Sequence, residues 1–472
     1  MSCSLQEGSL TVVEPSSEMM ILSTSAVSKN ILVVGCKLEG PLDVPALQEA
    51  LPKAVSAFPC LMSTVEQAGG LFGRRLVWTH HPELQPELQV SNLNVSEPST
   101  SILDCAMRQL EPGTSKDWDL FHSVPTEFHL LRESEGKSHF ISLIHHAAVD
   151  GYSGMLLVQE LLECYQEIVT GRRPELPRAG GALSSLKRNL VQGQEMGLRD
   201  MLEGVRRAAE TSGKKMSLPD GGYDPTTPFQ YYVQKWLTEA ETEAVRNCVK
   251  TRKIAFVDYL VACLNLCVET WNSARNVQTN TIVTWIPVQM RGRFGDMNAP
   301  MNSSFLLVMS DSHERRDPWE MVRIIGERRK GQLSNHDDVR AYQTLAKMTR
   351  VVSLLPLHAR KKLTHFMAQS RGRHILFSYL GVLWPKIKDG RTTGESYLIR
   401  LGDLELTDVH LGSCKFATRD PVRLGVLNFR GKLKIIMSVS YHYFTVEEAL
   451  SFLDLYAETV LEHAARQFPG SS

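Results

Sequence analysis

The stretch ISLIHHAAVDGYSGM, residues 141–155, decides how the first part of this 472-residue chain folds and where its chemistry lies. It joins the apolar run ISLI to two adjacent histidines, His145 and His146. Three residues then separate His146 from an Asp-Gly pair, Asp150 and Gly151. A short apolar run of this kind is typical of a buried strand. The histidines therefore stand where a strand ends.

The flanking segments complete a strand–loop–helix unit. TEFHLLR (126–132) and HFISLI (139–144) flank the polar sequence ESEGK and predict a β-hairpin that leads into the histidines. After the Asp-Gly pair, Ser153 is the predicted N-cap of a helix and Gly171 its C-cap glycine. A short loop between a strand and a helix is where many α/β proteins expose catalytic side chains. One helical face between the caps is apolar: Met155, Val158, Leu161, Leu162, Tyr165 and Ile168.

These residue types suit proton transfer. A neutral imidazole is the side chain best matched to take a proton from a hydroxyl or an amine near neutral pH. From the residues alone, His146 is either such a base or a structural histidine, and His145 either bonds to backbone or fills the strand end. Asp150 either binds an arginine or makes an Asx-type turn. Gly151 permits either a positive φ or the close approach of a ligand.

The rest of the chain predicts an α/β protein in two parts. The stretches GRRPELPRAGGALSS and SLPDGGYDPTTP, rich in Pro and Gly, bound a segment with helical periodicity. We expect an N-terminal subdomain at 1–175, a crossover linker with a helix at 176–228 and a C-terminal subdomain at 229–472. Near the C-terminus, LGVLNF and LKIIMSVSY predict a second hairpin, and Thr445 and Glu448 a capping box before a helix. Each half thus has a hairpin followed by a helix.

Composition argues against several classes of protein. Lys plus Arg and Asp plus Glu number 52 each, so we expect neither a nucleic-acid surface nor a polybasic membrane anchor. The nine cysteines form no CxxC pair, and no zinc spacing, Walker loop or GxSxG elbow occurs. The chain shows neither a signal peptide nor an apolar run long enough for a membrane span. We expect a soluble cytoplasmic protein with reduced, buried thiols and no metal.

Two other segments each have a functional and a structural interpretation. HERRDPWEMVRIIGERRKGQ (313–332) is either a site for the phosphates of coenzyme A or a basic, solvated, amphipathic helix, and we favour the helix. Met348, Leu354, Leu355 and Leu357 could line an acyl pocket, but apolar residues at such spacing usually belong to a core. We expect them in the core.

The spacing His-His-x-x-x-Asp-Gly resembles the signature of the chloramphenicol-acetyltransferase-like acyltransferase superfamily. That superfamily includes peptide-synthetase condensation domains, polyketide-associated acyltransferases, alcohol acetyltransferases, wax ester synthases and the plant BAHD enzymes. Further likeness lies in LEGPLDVPALQEALPKAVSAFPCLMSTV (38–65), WIPVQMRGRFG (285–295), MNSSFLLV (301–308), FSYLG (377–381) and LNFRGKLKIIMSVSY (427–441). Together these segments span nearly the whole chain.

The resemblance implies an α/β fold of two chloramphenicol-acetyltransferase-like subdomains, each a mixed sheet flanked by helices, with the active-site tunnel at their interface. It implies that His146 is the general base, supported by His145. Asp150 would point away from the site and pair with Arg291. Gly151 would leave room for a pantetheine arm.

The resemblance also implies a reaction without a resident cofactor. The co-substrate is a thioester of CoA or of an acyl carrier protein, and the acceptor is a small-molecule alcohol or amine. His146 would take the acceptor's proton during attack on the thioester, and the leaving thiolate would recover it, with no covalent enzyme intermediate. Ser378 and Tyr379 would line the substrate pocket, with an oxyanion donor near Ser378.

The sequence differs from patterns of the superfamily at two places, which limits the branches that it resembles. The DFGWG segment of the plant BAHD enzymes is absent, and Tyr379 stands where many members have Asn. We expect a stand-alone acyl-CoA-dependent O- or N-acyltransferase of secondary metabolism. Two alternatives remain: a condensation-type enzyme acting on carrier-bound chains, and a catalytically silent member that serves as a binding protein.

Overall fold

The computed structural model describes residues 11–24, 30–69, 74–94, 102–110, 118–173, 216–221, 230–290, 303–370, 374–388, 391–396, 400–414, 422–440 and 443–465. The helices in these residues are α1 Pro15–Ser23, α2 Val44–Val55, α3 Ile102–Gln109, α4 Gly151–Thr170, α5 Glu239–Thr251, α6 Phe256–Ser273, α7 Pro318–Ser334, α8 Asp337–Val352, α9 Leu357–Ser370 and α10 Val446–Ala465. Short 3-10 turns lie at Pro59–Met62 and Ser312–Arg316.

The strands belong to two large sheets and two small ones. They are β1 Thr11–Val12, β2 Ile31–Glu39, β3 Ser63–Ala68, β4 Arg75–His80, β5 Leu88–Asn92, β6 Thr126–Ser134, β7 Lys137–His145, β8 Met216–Ser217, β9 Gln230–Trp236, β10 Thr281–Gln289, β11 Ser303–Ser310, β12 Ile375–Val382, β13 Pro385–Lys388, β14 Arg391–Ser396, β15 Arg400–Leu401, β16 Leu404–Cys414, β17 Val422–Phe429 and β18 Lys432–Ser440. The small sheets have the orders β1-β4-β3 and β13-β14.

Both large sheets are mixed. The first sheet has the order β15-β16-β2-β7-β6-β5, in which β5 and β6 are parallel. The second has the order β11-β10-β12-β17-β18-β9, with β8 beside β10, and its β10–β12 and β12–β17 pairs are parallel. Helices α2 and α4 pack with the first sheet, and α5, α6 and α10 with the second. The predicted α/β class, with mixed sheets flanked by helices, is confirmed.

The sheets do not follow the order of the sequence. Strands β15 and β16 come from residues 400–414, within the predicted C-terminal subdomain, yet β16 pairs with β2 along nearly its whole length. The first sheet therefore contains strands from both halves of the chain. The predicted linker at 176–228 lies outside the described residues except for 216–221, so the subdomain boundaries stay predictions.

Strand β2 shows why sheet position decides the sequence pattern. Val34, Cys36 and Leu38 face one core, while Ile31 and Val33 face another on the opposite side. A strand covered on both faces cannot alternate apolar and polar residues, which explains its almost unbroken apolar sequence. Both faces of β2 are therefore covered from Ile31 to Cys36.

Both predicted hairpins are confirmed. β6 and β7 pair antiparallel, and so do β17 and β18. The second hairpin turns at Arg430 and Gly431, with φ values of 53° and 76°. Two consecutive positive φ values fit the tight turn that matches strand twist. The capping box is confirmed as well, because Thr445 and Glu448 each accept from the other's backbone N–H, at 3.2 and 2.9 Å respectively.

The turn between α8 and α9 differs from the prediction. Leu354 and Leu355 are 62% and 40% exposed, so placing them in a core was wrong. The helical periodicity stops short of this pair, because α8 ends at Val352 and Pro356 precedes α9. Leu357, by contrast, packs against the core of the first sheet.

The charged run 313–332 is a helix, as predicted. It forms the 3-10 turn and then α7, along which Arg323 binds Glu320 and Glu327 at 2.5 Å. Such i,i+3 and i,i+4 ion pairs are typical of a solvated helix face.

No single helix among the described residues is long and apolar enough to cross a bilayer. The α5–α6 pair meets the length and composition criteria only jointly and is bent by 109°.

Candidate active site

Asp150 caps the helix that follows the histidines. Strand β7 ends at His145 and α4 begins at Gly151. The Asp150 carboxylate accepts from the Ser153 backbone N–H at 2.8 Å, which makes Asp150 the N-cap. The predicted N-cap at Ser153 was therefore wrong. Ser153 lies inside the first turn of α4, and its backbone N–H donates to the Asp150 side chain, which is the cap. Gly171 is the predicted left-handed C-cap, with φ of 67°.

His146 is held in one tautomer by the loop backbone. Its Nδ1 lies 2.9 Å from the Val149 carbonyl oxygen. Because a carbonyl only accepts, Nδ1 carries the hydrogen and Nε2 carries the lone pair. The His146 backbone N–H also donates to the Asn30 carbonyl at 2.6 Å. His146 is not fully buried as a residue, unlike His145 before it.

The surroundings keep His146 neutral. Burial lowers its pKa below the usual value, while the Val149 carbonyl and the Asp150 carboxylate oppose that change and the Arg423 guanidinium reinforces it. A neutral imidazole with a lone pair on Nε2 is the form that accepts a proton. The geometry and the protonation state thus both fit a general base.

His145 is a structural histidine. Its ring is fully buried, Nδ1 accepts from the Ala147 N–H at 3.2 Å and Nε2 lies 2.9 Å from the Thr24 hydroxyl. Thr24 in turn donates to the Met20 carbonyl at 2.8 Å. Burial, with a smaller effect of His146, lowers the pKa of His145 to about 3. The ring therefore ties the histidine loop to the end of α1.

Thr24 and Asn30 were not identified from the sequence. The Asn30 amide donates to the Thr24 hydroxyl at 3.1 Å and to the Met20 carbonyl at 3.0 Å, with Asn30 itself at φ of 48°. Neither residue belongs to a motif. The one local signal was Asn30 itself, since Asn is the non-glycine residue that most readily adopts positive φ.

Gly151 does not have a positive φ, so that alternative was wrong. It is the first residue of α4, and a Cβ added there would lie 3.8 Å from Leu411 and 3.9 Å from Leu380. Both distances are ordinary van der Waals contacts. Packing within the protein therefore does not require glycine at this position.

The same contacts place the second sheet opposite the histidine loop. Leu380 lies on β12, directly after Ser378 and Tyr379. Ser378 is in register with Gly425 of β17, and a Cβ on Gly425 would lie 3.5 Å from Leu411. Since Leu411 lies beside both Gly151 and Gly425, strands β12 and β17 face the start of α4.

Ser378 and Tyr379 have different surroundings. Ser378 is partly exposed, and its hydroxyl has no hydrogen-bond partner among the described residues. The Tyr379 ring stacks on Phe256 with centroids 5.4 Å apart and packs against the core of the second sheet. Burial raises the pKa of Tyr379 to about 12. The contacts of Tyr379 thus lie in the second core, and its role in a pocket stays a prediction.

The predicted Asp150–Arg291 pair lies outside the described residues, because β10 ends at Gln289 and description stops at Met290. It stays a prediction with a clear test.

Asp150→Ala should lower the free energy of unfolding by about 1 kcal/mol through loss of the cap. Asp150→Asn keeps the cap but removes the charge, so a similar loss is expected if Arg291 is the partner. Urea unfolding that leaves Asp150→Asn equal to the parent would contradict the pair.

No group of three or more metal-ligating side chains gathers in the part of the chain that the structure describes.

Comparison with protein-family models identifies one family. A family model described as Condensation domain matches residues 23–285, more than half of the chain. Phthiocerol/phthiodiolone dimycocerosyl transferase of Mycobacterium leprae is 27% identical over 281 residues, which cover 57% of this chain and 61% of that protein. A linear gramicidin synthase polypeptide of Brevibacillus parabrevis is 25% identical over 141 residues, 30% of this chain and 3% of the synthase. The chain thus spans less than two thirds of either relative.

Solved structures share the fold over nearly the whole chain. The first condensation domain of the calcium-dependent antibiotic synthetase, in complex with substrate analogue 3a, superposes with a TM-score of 0.67 at 14% identity, covering 98% of this chain and 97% of the domain. Trichothecene 15-O-acetyltransferase from Fusarium sporotrichioides superposes with a TM-score of 0.68 at 13% identity, covering 97% and 95%. The family match at residues 23–285, over more than half of the sequence, leads to one conclusion: the chain belongs to the condensation domain family.

Proposed function

We propose that the protein transfers an acyl group from a thioester to a hydroxyl or an amine of a small molecule, with His146 as general base. The observation that carries this proposal is the tautomer of His146. Its Nδ1–H is committed to the Val149 carbonyl at 2.9 Å, so the lone pair of the neutral ring lies on Nε2.

The proposed reaction proceeds in two steps. The acceptor oxygen or nitrogen attacks the thioester carbonyl while Nε2 of His146 takes its proton, which gives a tetrahedral oxyanion and an imidazolium. The carbon–sulfur bond then breaks, and the departing thiolate recovers the proton from the imidazolium. Ser378 is the proposed oxyanion donor, since this partly exposed serine lies on β12, in register with Gly425 of β17. No metal or resident cofactor takes part in this proposal.

The donor is proposed to be an acyl-CoA. The second candidate is a condensation-type enzyme that takes its acyl chain from a carrier protein, which is favoured by the likeness to the peptide synthetases. The two candidates share the chemistry at His146 and differ in what carries the thiol. Presenting one acyl group as its CoA thioester and on a carrier protein separates them.

A mass-spectrometric screen tests the proposed function. Acyl-CoA donors of increasing chain length are mixed with pools of alcohols and amines, and products are detected as acceptor masses plus one acyl group. His146→Ala serves as the blank and His122→Ala, whose side chain is 82% exposed, as the matched control. We expect acylated products with the parent and control enzymes and none above background with the blank. No transfer from either CoA or carrier thioesters would favour the silent binding protein instead.

Gly151→Ala should leave the stability of the fold unchanged but slow the reaction if substrate passes this residue. The added methyl meets only ordinary contacts with Leu411 and Leu380, so the melting temperature should change little or rise, because Ala limits the unfolded chain more than Gly. If a thioester arm passes this position, as proposed, kcat/KM should fall by about tenfold or more, since overfilling a close-packed path is costly. Unchanged kcat/KM would exclude Gly151 from that path.

A further inference from the structure

The turn between α8 and α9 and the helix after it carry an exposed apolar cluster. Val351, Phe366 and Leu354 are 68%, 67% and 62% exposed, more than any other large apolar residue that the structure describes, and Leu355 follows Leu354 directly. Single exposed apolar residues are ordinary, but four of them within residues 351–366 form a cluster. A cluster of this kind on a globular protein marks a surface that binds something else.

Polar contacts to α1 hold both helices in place beneath this cluster. The fully buried Arg360 guanidinium of α9 binds the Glu18 carboxylate of α1 and donates to the Arg74 carbonyl at 3.0 Å. On α8, the Tyr342 hydroxyl donates to the carboxylate of Glu14, the residue before α1. The apolar side chains are therefore displayed by an anchored pair of helices.

Helical geometry places cations beside the exposed apolar side chains. The Leu354 N–H donates to the Val351 carbonyl at 3.2 Å, so the last turn of α8 continues to Leu354. Arg350 therefore lies next to Val351 and on the same face as Leu354, four residues later. On α9, Lys362 and Phe366 are also four residues apart, and both are exposed. Each helix thus displays a cation beside an apolar side chain.

The segment that carries this surface is basic, although the chain as a whole is neutral. Residues 339–388 contain ten Lys or Arg and no Asp or Glu, whereas the two classes are equal in number over the whole sequence. The neutral total, from which we expect no polybasic anchor, conceals this asymmetry. A segment with positive charge and no carboxylates of its own attracts anionic surfaces.

A group outside the segment acts on one of its cations. The Lys361 ammonium lies over the Phe121 ring, 5.1 Å from its centroid, and within electrostatic reach of the Asp119 carboxylate. Lys361 is therefore partly compensated. Arg350 and Lys362 are exposed and supply positive charge that faces solvent.

The combination of an apolar tip and flanking cations fits a lipid bilayer better than a protein. Apolar side chains of such a surface enter the boundary between headgroups and acyl chains, while Lys and Arg stay at the level of the phosphates. Leu354, Leu355 and Pro356 are exposed in succession at the turn, which makes a projecting tip and not a groove. A protein partner would have to supply a matching cleft, whereas a bilayer admits such a tip at any point of its surface.

We propose that the turn between α8 and α9 is a membrane-docking tip: Leu354 and Leu355 enter the surface of an anionic bilayer, and Arg350 and Lys362 bind its phosphate headgroups. Docking is peripheral and reversible, because two leucines and two cations hold a protein far less tightly than a spanning helix. The tip is independent of the proposed acyl transfer, since docking needs neither His146 nor a substrate.

Co-sedimentation of the full chain with vesicles tests the proposal. One set of vesicles contains phosphatidylcholine with about one quarter phosphatidylserine, and the neutral reference is phosphatidylcholine alone. The parent should bind the anionic vesicles at least about tenfold more strongly, since each Lys or Arg near the surface contributes a factor of about five. Raising the salt concentration should remove most of this difference, because salt screens exposed charges.

Replacing the leucines tests the apolar contribution. The double variant Leu354→Ser/Leu355→Ser should bind anionic vesicles at least about tenfold more weakly than the parent, since burying a single leucine contributes about that factor. Leu84→Ser is the matched control, because Leu84 is also an exposed leucine but lies on another segment. Both variants should melt like the parent, since the replaced side chains face solvent.

Replacing the cations tests the electrostatic contribution. The double variant Arg350→Gln/Lys362→Gln should bind anionic vesicles about tenfold or more weakly than the parent and bind neutral vesicles equally. Lys53→Gln is the matched control, because Lys53 is an exposed lysine on α2.

Two results would overturn the proposal. The first is a parent that does not bind anionic vesicles, and the second is a Leu354→Ser/Leu355→Ser variant that binds them as well as the parent does. Sedimentation velocity on the same proteins then identifies a different occupant: a dimer of the parent that dissociates in this variant would assign the tip to a second copy of the chain.

Discussion

His146→Ala should reduce kcat/KM by about 10²- to 10⁴-fold and leave the protein folded. A positioned general base contributes that much to proton transfer, which corresponds to about 3–5 kcal/mol of transition-state stabilisation. The fold depends little on this ring, because the bond from its Nδ1 to the Val149 carbonyl stays within the loop. Its loss should cost about 1 kcal/mol of stability.

The experiment pairs kinetics with thermal melting. Initial rates at saturating donor are compared for the parent, His146→Ala and His122→Ala, and each is melted under the same conditions. His122 is a surface histidine bound to Asp119 at 2.8 Å, so its removal tests whether losing any imidazole affects the rate. Turnover of His146→Ala within a few-fold of the parent would remove His146 from the reaction.

Local structure was largely predictable because it depends on neighbours in the sequence. The two hairpins, the helix after the histidines, its C-cap at Gly171 and the capping box at Thr445 follow from turn residues and periodicity, and all are present. The N-cap was misassigned because Asp150 and Ser153 can both cap. The choice between them depends on where β7 ends, and the turn from His146 to Val149 sets that point.

The supporting contacts of the site could not be predicted, because they join distant parts of the chain. His145 and Thr24 are 121 residues apart, and Arg423 meets Ser413 only through the insertion of β16 beside β2. Periodicity indicates which side of an element is buried, but not what covers it. Leu354 shows the same limit. Its apolar side chain suggested burial, but the sequence could not show whether any element packs over it, and it is exposed.

Acid should destabilise the protein through His145, the residue beside the proposed base. Its folded-state pKa is about 3 against an ordinary value of 6.5. Above pH 6.5 the ring is neutral in both states and the full stability is present. Between pH 6.5 and 3 the unfolded chain binds a proton that the folded chain refuses, so the free energy of unfolding falls with pH, by about 2 kcal/mol at pH 5 and about 4 kcal/mol at pH 3.

His145→Asn isolates this contribution from that of two other buried histidines, His139 and His410, whose pKa values are also lowered by burial. The Asn oxygen can still accept from the Ala147 N–H, while the bond to Thr24 is lost. We expect the variant to be about 1 kcal/mol less stable than the parent at pH 8. Between pH 8 and pH 5, the free energy of unfolding of His145→Asn should then fall by about 2 kcal/mol less than that of the parent.

Urea unfolding of both proteins at the two pH values measures the difference, with His122→Asn as a control for replacing a surface histidine. If the free energy of unfolding falls equally in the parent and in His145→Asn between pH 8 and pH 5, the folded protein accepts a proton at His145 as readily as the unfolded chain. Because such a proton would convert Nδ1 from acceptor to donor, the bond from the Ala147 N–H could not persist. The first histidine would then not be the neutral anchor that holds His146 in place.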